Sequence, residues 1–138
     1  MKKILIYLSL ILAFWQVQAA NFVVTTLGDA RTSWPDPAGP QTGNFRWALE
    51  GANAAGAGPH TITFATALNN KTIVLNYWQE LLLSSSDVTI DGTGQNITIS
   101  RLVNTFSSSL VLLNSANRTT IKGLSWENAS PVIGALAI

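Results

Sequence analysis

The chain has 138 residues, no cysteine, eight basic and seven acidic side chains, and a formal net charge of +1 at pH 7. This length allows one domain at most once a targeting segment is removed. The missing cysteines exclude a disulfide framework and a thiolate metal site. The near-neutral charge argues against the basic surface of a nucleic-acid-binding protein, so we expect no nucleic-acid partner, and no pattern in the sequence indicates a metal or another cofactor.

The first 19 residues have the pattern of an export signal. Lys2 and Lys3 precede an apolar stretch from Ile4 to Trp15, and Val17-Gln18-Ala19 offers small residues to signal peptidase. About a dozen apolar residues fall short of the roughly 20 that span a bilayer. We therefore expect residues 1–19 to be a signal peptide cleaved after Ala19 or Ala20, and a mature chain that is secreted or on the cell surface without a transmembrane span. A retained N-terminal anchor is the alternative.

Residues 20–58 are predicted to form a strand, a loop and a helix. The β-branched run from Phe22 to Thr26 indicates a strand, and the prolines and aspartates between Gly28 and Gly43 indicate a surface loop. A helix is predicted from Asn44 to Asn53, because Asn44 suits an N-cap and apolar residues follow at helical spacing. Those apolar residues are Phe45, Ala48, Leu49 and Ala52.

Residues 59–138 are predicted to be a series of short strands. β-branched runs alternate there with Asn, Gly and Ser turns. Thr89-Ile90-Asp91-Gly92 is followed 31 residues later by Thr120-Ile121-Lys122-Gly123, a period typical of stacked repeats. In such a stack, strands pair in parallel and inward aliphatic side chains lie on one another. The expected partners are Ile73 with Ile97, Leu83 with Leu112, and Ile90 with Ile121.

Four segments in this order resemble a family. They are Asn44-Phe45-Arg46-Trp47-Ala48-Leu49, His60-Thr61-Ile62-Thr63-Phe64, Val88-Thr89-Ile90-Asp91-Gly92 and Ile121-Lys122-Gly123-Leu124. Together they resemble the N-terminal portion of the secreted right-handed parallel β-helix surface proteins of bacteria, which include adhesin-like and polymorphic outer-membrane-protein-like members. The resemblance implies an all-β right-handed parallel β-helix, a solenoid, with a short capping α-helix at its N-terminal end.

The resemblance also bears on extent and function. The apolar run from Val132 to Ile138 is similar to the opening of a further coil, so residues 59–138 are expected to be the first coils of a longer, truncated β-helix. A non-catalytic module for adhesion or for contact with extracellular polysaccharide or cell-surface glycans is the expected function. The alternative is the front part of a polysaccharide lyase or glycoside hydrolase whose active groove lies downstream.

No set of side chains indicates a catalytic centre. Glycoside hydrolysis requires paired carboxylates, and the acids of the strand region, Glu80, Asp87, Asp91 and Glu127, are not neighbours on one strand. Asp91 and Lys122 occupy matching positions in the two tetrapeptides, which predicts a surface ion pair. The single histidine, His60, is expected on the surface ahead of a strand.

Arg46 is expected outside the apolar stripe of the helix, where it can pair with Glu50. An Arg46→Ala change is then expected to be mild. Trp34, Trp78 and Trp126 are candidates for stacking against sugars if exposed. Trp34, in the Pro-rich loop, is the strongest candidate for a glycan contact, with packing or anchoring of the loop as the alternative.

Overall fold

A computed structural model describes residues 18–29, 41–75, 81–101, 112–114 and 118–128. The greater part of the predicted signal peptide, residues 1–17, lies outside these ranges. So do Trp34, Trp78 and the apolar run that ends at Ile138, and the predictions for them stay predictions. The division of the chain at residues 19 and 58 likewise stays a prediction.

Nine short strands and one α-helix make up the described chain. In order they are β1 (Ala20–Val24), α1 (Phe45–Ala55), β2 (His60–Phe64), β3 (Thr72–Leu75), β4 (Leu81–Leu83), β5 (Val88–Asp91), β6 (Ile97–Arg101), β7 (Leu112–Asn114), β8 (Thr120–Lys122) and β9 (Leu124–Glu127), with one 3-10 turn at Thr66–Leu68. Each strand overlaps one of the short runs, β-branched or rich in leucine, that the sequence predicted as strands, so the positions of the strands were predictable.

All pairing between the described strands is parallel and falls into three separate sheets. The strand orders are β1-β2-β5-β8, β3-β6-β9 and β4-β7. In the first sheet Ile62 pairs with Ile90 and Ile90 with Ile121, so aliphatic side chains line up across neighbouring strands. Along β2 and β5 buried and less buried residues alternate, and the buried apolar residues form one core with the helix.

The predicted fold class is wrong. The described residues form three small, separate parallel sheets of strands three to five residues long, with a helix, and no closed solenoid is detected among them. The helix contributes Phe45, Ala48, Leu49 and Ala52 to the core, so this part of the chain is a mixed α and β structure. The sequence pattern was dominated by β-branched runs, which indicate strands without saying whether successive sheets close into one coil.

The predicted pairing between repeats is correct in one case of three. Ile90 pairs with Ile121, as the matched tetrapeptides indicated. Ile73, however, pairs with Ile99 and not with Ile97, and Leu112 pairs with Leu81 and not with Leu83. Each wrong partner is two residues from the correct one. A shift of two keeps the same face inward, and the alternation of side chains therefore cannot distinguish the two registers.

Helix α1 is capped and packed as predicted. The side chain of Asn44 accepts a hydrogen bond from the backbone N–H of Trp47 at 2.7 Å, which satisfies one free donor of the first turn. Leu49 is 1% exposed, and the helix lies against β1 and β4. Phe22 of β1 meets the Trp47 ring edge-on, with centroids 5.9 Å apart.

A buried ion pair joins the helix to the segment after β1. The guanidinium of Arg46 donates from Nε to Oδ1 of Asp29 at 2.9 Å and from Nη2 to Oδ2 of Asp29 at 3.0 Å. Both side chains are nearly inaccessible, at 4% and 0% exposure. Arg46 was expected outside the apolar stripe of the helix but is buried, so we no longer expect an Arg46→Ala change to be mild. A contact across 17 residues leaves no periodic signal in the sequence.

The side chain of Asn53 binds the backbone beside β4. Its Nδ2 donates to the carbonyl of Leu82 at 2.8 Å, and its Oδ1 accepts from the backbone N–H groups of Ser84 and Ser85 at 2.7 and 3.1 Å. The helix thus bonds to the chain around β4 through one amide, in addition to their apolar contact.

Left-handed residues turn the chain from one sheet to the next. Asn70 and Asn96 have φ of 57° and 49°, and their side chains bond to each other at 3.1 Å. Asparagine tolerates this conformation better than most residues. The matching position before β9 is Gly123, with φ of 67°, where an added Cβ would collide with the backbone N and Cα of Thr93. Only glycine fits there without movement of the turn.

Gly123→Ala is expected to destabilise the protein by about 2–4 kcal/mol, from left-handed strain and from overlap with the Thr93 backbone. Gly94→Ala is the matched control, because Gly94 also has a positive φ, 77°, but nothing lies within 4 Å of an added Cβ. Its cost should be about 1–2 kcal/mol. Urea unfolding of both variants measures the difference, and equal losses would contradict the close approach at Gly123.

Arg46→Ala is expected to cost about 3–5 kcal/mol, because it leaves the Asp29 carboxylate buried without its guanidinium. Arg118→Ala is the control. Arg118 pairs with Asp87 at the surface and is 77% exposed, so its loss should cost about 0–1 kcal/mol. Thermal melts followed by circular dichroism compare the two, and an Arg46→Ala variant as stable as Arg118→Ala would show that the buried pair contributes little.

Candidate binding surface

The outer side of the four-stranded sheet carries a regular set of side chains, polar except for Val23, which we name the hydroxyl face. Since successive residues of a strand point to opposite sides, each strand places two residues here while its neighbours enter the core. The residues of the hydroxyl face are Asn21, Val23, Thr61, Thr63, Thr89, Asp91, Thr120 and Lys122, all exposed or half-buried.

The register arranges the hydroxyl face in two rows across the strands. Asn21, Thr61, Thr89 and Thr120 form the first row, and Val23, Thr63, Asp91 and Lys122 form the second. Neighbouring strands lie about 4.7–4.9 Å apart, and residues two apart on a strand are separated by about 6.6 Å. Hydroxyl groups therefore recur at a nearly constant interval across three strands, which gives a surface with a repeated contact.

An ion pair lies in the second row. Nζ of Lys122 is 2.9 Å from Oδ2 of Asp91, which confirms the pair that the matched tetrapeptides predicted. Asp91 also accepts from the backbone N–H of Thr93 at 2.9 Å. The hydrogen bond from the Thr93 side chain, then that from Lys122, lower the pKa of Asp91 from 3.8 to about 2. Asp91 is therefore a carboxylate at any physiological pH.

A second ion pair lies at the start of β5 and β8, the strands that contain Asp91 and Lys122. Arg118, just before β8, binds the carboxylate of Asp87, just before β5. Both residues are left-handed, with φ of 65° and 57°. The two pairs balance the charges of this surface locally, so it presents dipoles and hydroxyls and little net field.

The aspartates of the described residues are all engaged in ion pairs. Asp29, Asp87 and Asp91 are each bound to a basic side chain, and these parts of the chain hold no cluster of three metal-binding side chains. A glycosidase acid needs a raised pKa so that it still carries a proton near neutral pH. The pKa of Asp91 is shifted in the opposite direction.

His60 is a core residue, and its predicted surface position is wrong. It lies in β2 with 1% exposure, where its Nε2 is 2.9 Å from the Gly56 carbonyl and its Nδ1 is 3.2 Å from the backbone N of Ala20. The ring is held on both sides by backbone groups, so it does not meet a hydroxyl as a triad histidine would. Sequence alternation puts His60 in phase with Ile62 and Phe64, a signal that indicated an inward position.

The tryptophans contribute less to this surface than the sequence suggested. Trp126 is partly buried against the core, as is Trp47, so both serve packing. Trp34, the candidate for a glycan contact, lies outside the described residues, as does Trp78. The threonine rows were not predicted as a site, although the repeated Thr-Ile dipeptides, in which isoleucine points inward and threonine outward, are the signal that identifies them.

Comparison with known proteins gives no relative. No protein-family model, no curated protein and no solved structure matches the chain. The resemblance to bacterial β-helix surface proteins therefore rests on four short segments, and it stays a prediction. Within the part of the chain that the structure describes, no helix is long and apolar enough to cross a membrane.

The pKa of Asp91 gives a prediction about pH. Folding lowers this pKa below its ordinary value, so the carboxylate stabilises the fold above about pH 3.8, and this contribution disappears as the pH falls through about 2. A carbon-13 NMR titration of the Asp91 carboxyl should give a midpoint near 2. Thr93→Val and Lys122→Met should each raise it, Thr93→Val more. A wild-type midpoint close to 4 would contradict the two hydrogen bonds.

Proposed function

We propose that the chain is an exported, non-catalytic module, secreted or on the cell surface, that contacts extracellular polysaccharide or cell-surface glycans through the hydroxyl face. The observation that carries this proposal is the first row of that face, Asn21, Thr61, Thr89 and Thr120, held in register by parallel pairing. Export is supported by the pattern of residues 1–19, with its basic start, apolar stretch and small residues before Ala20.

The chemistry of threonine suits a polysaccharide. Each hydroxyl both donates and accepts hydrogen bonds, as sugar hydroxyls do, and the β-branched side chain has few rotamers to lose on binding. Because both the polymer and the threonine row repeat, the same hydrogen bond can form several times between them. Several weak hydrogen bonds to one polysaccharide chain together raise the affinity, although water readily replaces any one of them.

The state of the carboxylates favours binding over cleavage. Asp87 and Asp91 lie on either side of Thr89, and each is paired with a basic side chain, Arg118 and Lys122 respectively. Asp91, whose pKa is lowered to about 2, carries no proton near neutral pH with which to protonate a leaving oxygen. The same pairing removes a repulsive charge from the surface, so neutral as well as acidic polymers can approach it.

Replacing the hydroxyls by methyl groups tests the proposal. The change is Thr61→Val, Thr89→Val and Thr120→Val together, made in the exported full chain, and binding to pectin, alginate and a neutral β-glucan is measured by affinity electrophoresis and calorimetry. Loss of three hydrogen bonds should weaken binding at least about tenfold. Valine keeps the branched shape and the strand preference of threonine, so the fold should be unaffected.

The three-stranded sheet offers the matched control. Thr72 and Thr98 are paired neighbours on β3 and β6 and point outward, so Thr72→Val with Thr98→Val makes the same chemical change away from the hydroxyl face. This variant should bind as the wild type does. Equal binding by both variants would contradict the hydroxyl face as the contact surface. Release of reducing ends or unsaturated products, lost on Asp87→Asn or Asp91→Asn, would contradict the non-catalytic function.

A further inference from the structure

We infer that signal peptidase cleaves the bond between Ala19 and Ala20, and that the amino group released on Ala20 binds to Nδ1 of His60 inside the fold. The inference rests on the export part of the proposed function. It identifies one processing site where the sequence left two, and it assigns a role to a buried histidine that the binding surface does not use.

The hydrogen bonds of His60 fix which ring nitrogen carries the proton. The backbone N–H of Ala20 can only donate, so Nδ1, at 3.2 Å, is the acceptor. With Nδ1 as acceptor, the ring N–H lies on Nε2, which donates to the carbonyl of Gly56 at 2.9 Å. With the ring 1% exposed, an acceptor at Nδ1 needs a donor from the protein, and Ala20 supplies it.

The position at which β1 starts distinguishes between the two possible cleavage sites, after Ala19 and after Ala20. Gln18 and Ala19 are exposed and precede the strand, whereas Ala20 already pairs with His60 across to β2. Cleavage after Ala19 therefore leaves the whole of β1 in the product. Cleavage after Ala20 would remove the nitrogen that binds Nδ1, and with it the first residue pair of the four-stranded sheet.

The chemistry of processing preserves the contact. Hydrolysis adds water across the peptide bond, which leaves a carboxylate on Ala19 and an amine on Ala20. The amine takes up a proton near neutral pH and becomes an ammonium group, which is still a donor. One of its N–H groups replaces the amide N–H toward Nδ1, and the others are available to solvent, because the contact is only partly buried.

The first experiment identifies the terminus. The full-length precursor is expressed in a bacterium with a general secretion system, and the intact mass of the exported protein is measured. A mass that begins at Ala20 supports the inference. A mass that begins at Asn21 overturns it and leaves export intact, while an unprocessed chain in the cell overturns export and the inference together.

The second experiment tests the bond to His60 by reductive methylation of the terminal amine. In the exported wild type, methylation should be roughly five- to tenfold slower than in a chain with one alanine inserted between Ala19 and Ala20, the factor that one ordinary hydrogen bond corresponds to. The inserted chain places its amine outside the sheet and keeps the Ala20 N–H as an amide, so its melting temperature should equal that of the wild type.

Deletion of Ala20 completes the comparison. It leaves Val17-Gln18-Ala19 in place for the peptidase but removes the donor to His60, so the melting temperature should fall by several degrees. Intact mass confirms the terminus of each variant before it is compared. Equal methylation rates in the wild type and the inserted chain, or an unchanged melting temperature after deletion, would overturn the role of His60.

Discussion

The parallel register of the inward isoleucines is the constraint on which the rest of the structure depends. Ile62, Ile90 and Ile121 lie side by side on three strands, and the chain has no cysteine with which to stabilise itself covalently. Burial of apolar side chains and backbone pairing must therefore supply the stability. A shift of one residue in any strand would turn its aliphatic side chains to water and its threonines and aspartates to the core.

The same constraint produces the outer surface. Once the isoleucines are in register, the threonines that precede them are in register as well, so a row of hydroxyls is a by-product of core packing. The ion pairs Asp91–Lys122 and Asp87–Arg118 follow from the same pairing of β5 with β8. Opposite charges facing each other across strands favour this register over alternatives, so the surface in turn supports the core.

Sequence reasoning succeeded where the signal is local. The strands, the helix, its Asn44 cap and the Asp91–Lys122 pair follow from alternation, helical spacing and the matched tetrapeptides. It failed where the contact is remote in sequence and has no period, as in the pairing of Arg46 with Asp29. The burial of His60 was missed although the alternation along β2 indicated it. The fold class failed for a related reason, because β-branched runs predict strands but not whether separate sheets close on one another.

The side chain of Asn53 occupies backbone hydrogen-bonding groups at the edge of β4. Strand β4 pairs with β7 on one side, and beside it the amide of Asn53 contacts the Leu82 carbonyl and the Ser84 N–H. Those two groups are the ones that a single residue of a parallel neighbouring strand would bind. One side chain thus imitates a strand and occupies the backbone groups through which another polypeptide could add by edge-to-edge association. Through Asn53 the helix therefore occupies backbone groups at the edge of β4 as well as contributing side chains to the core.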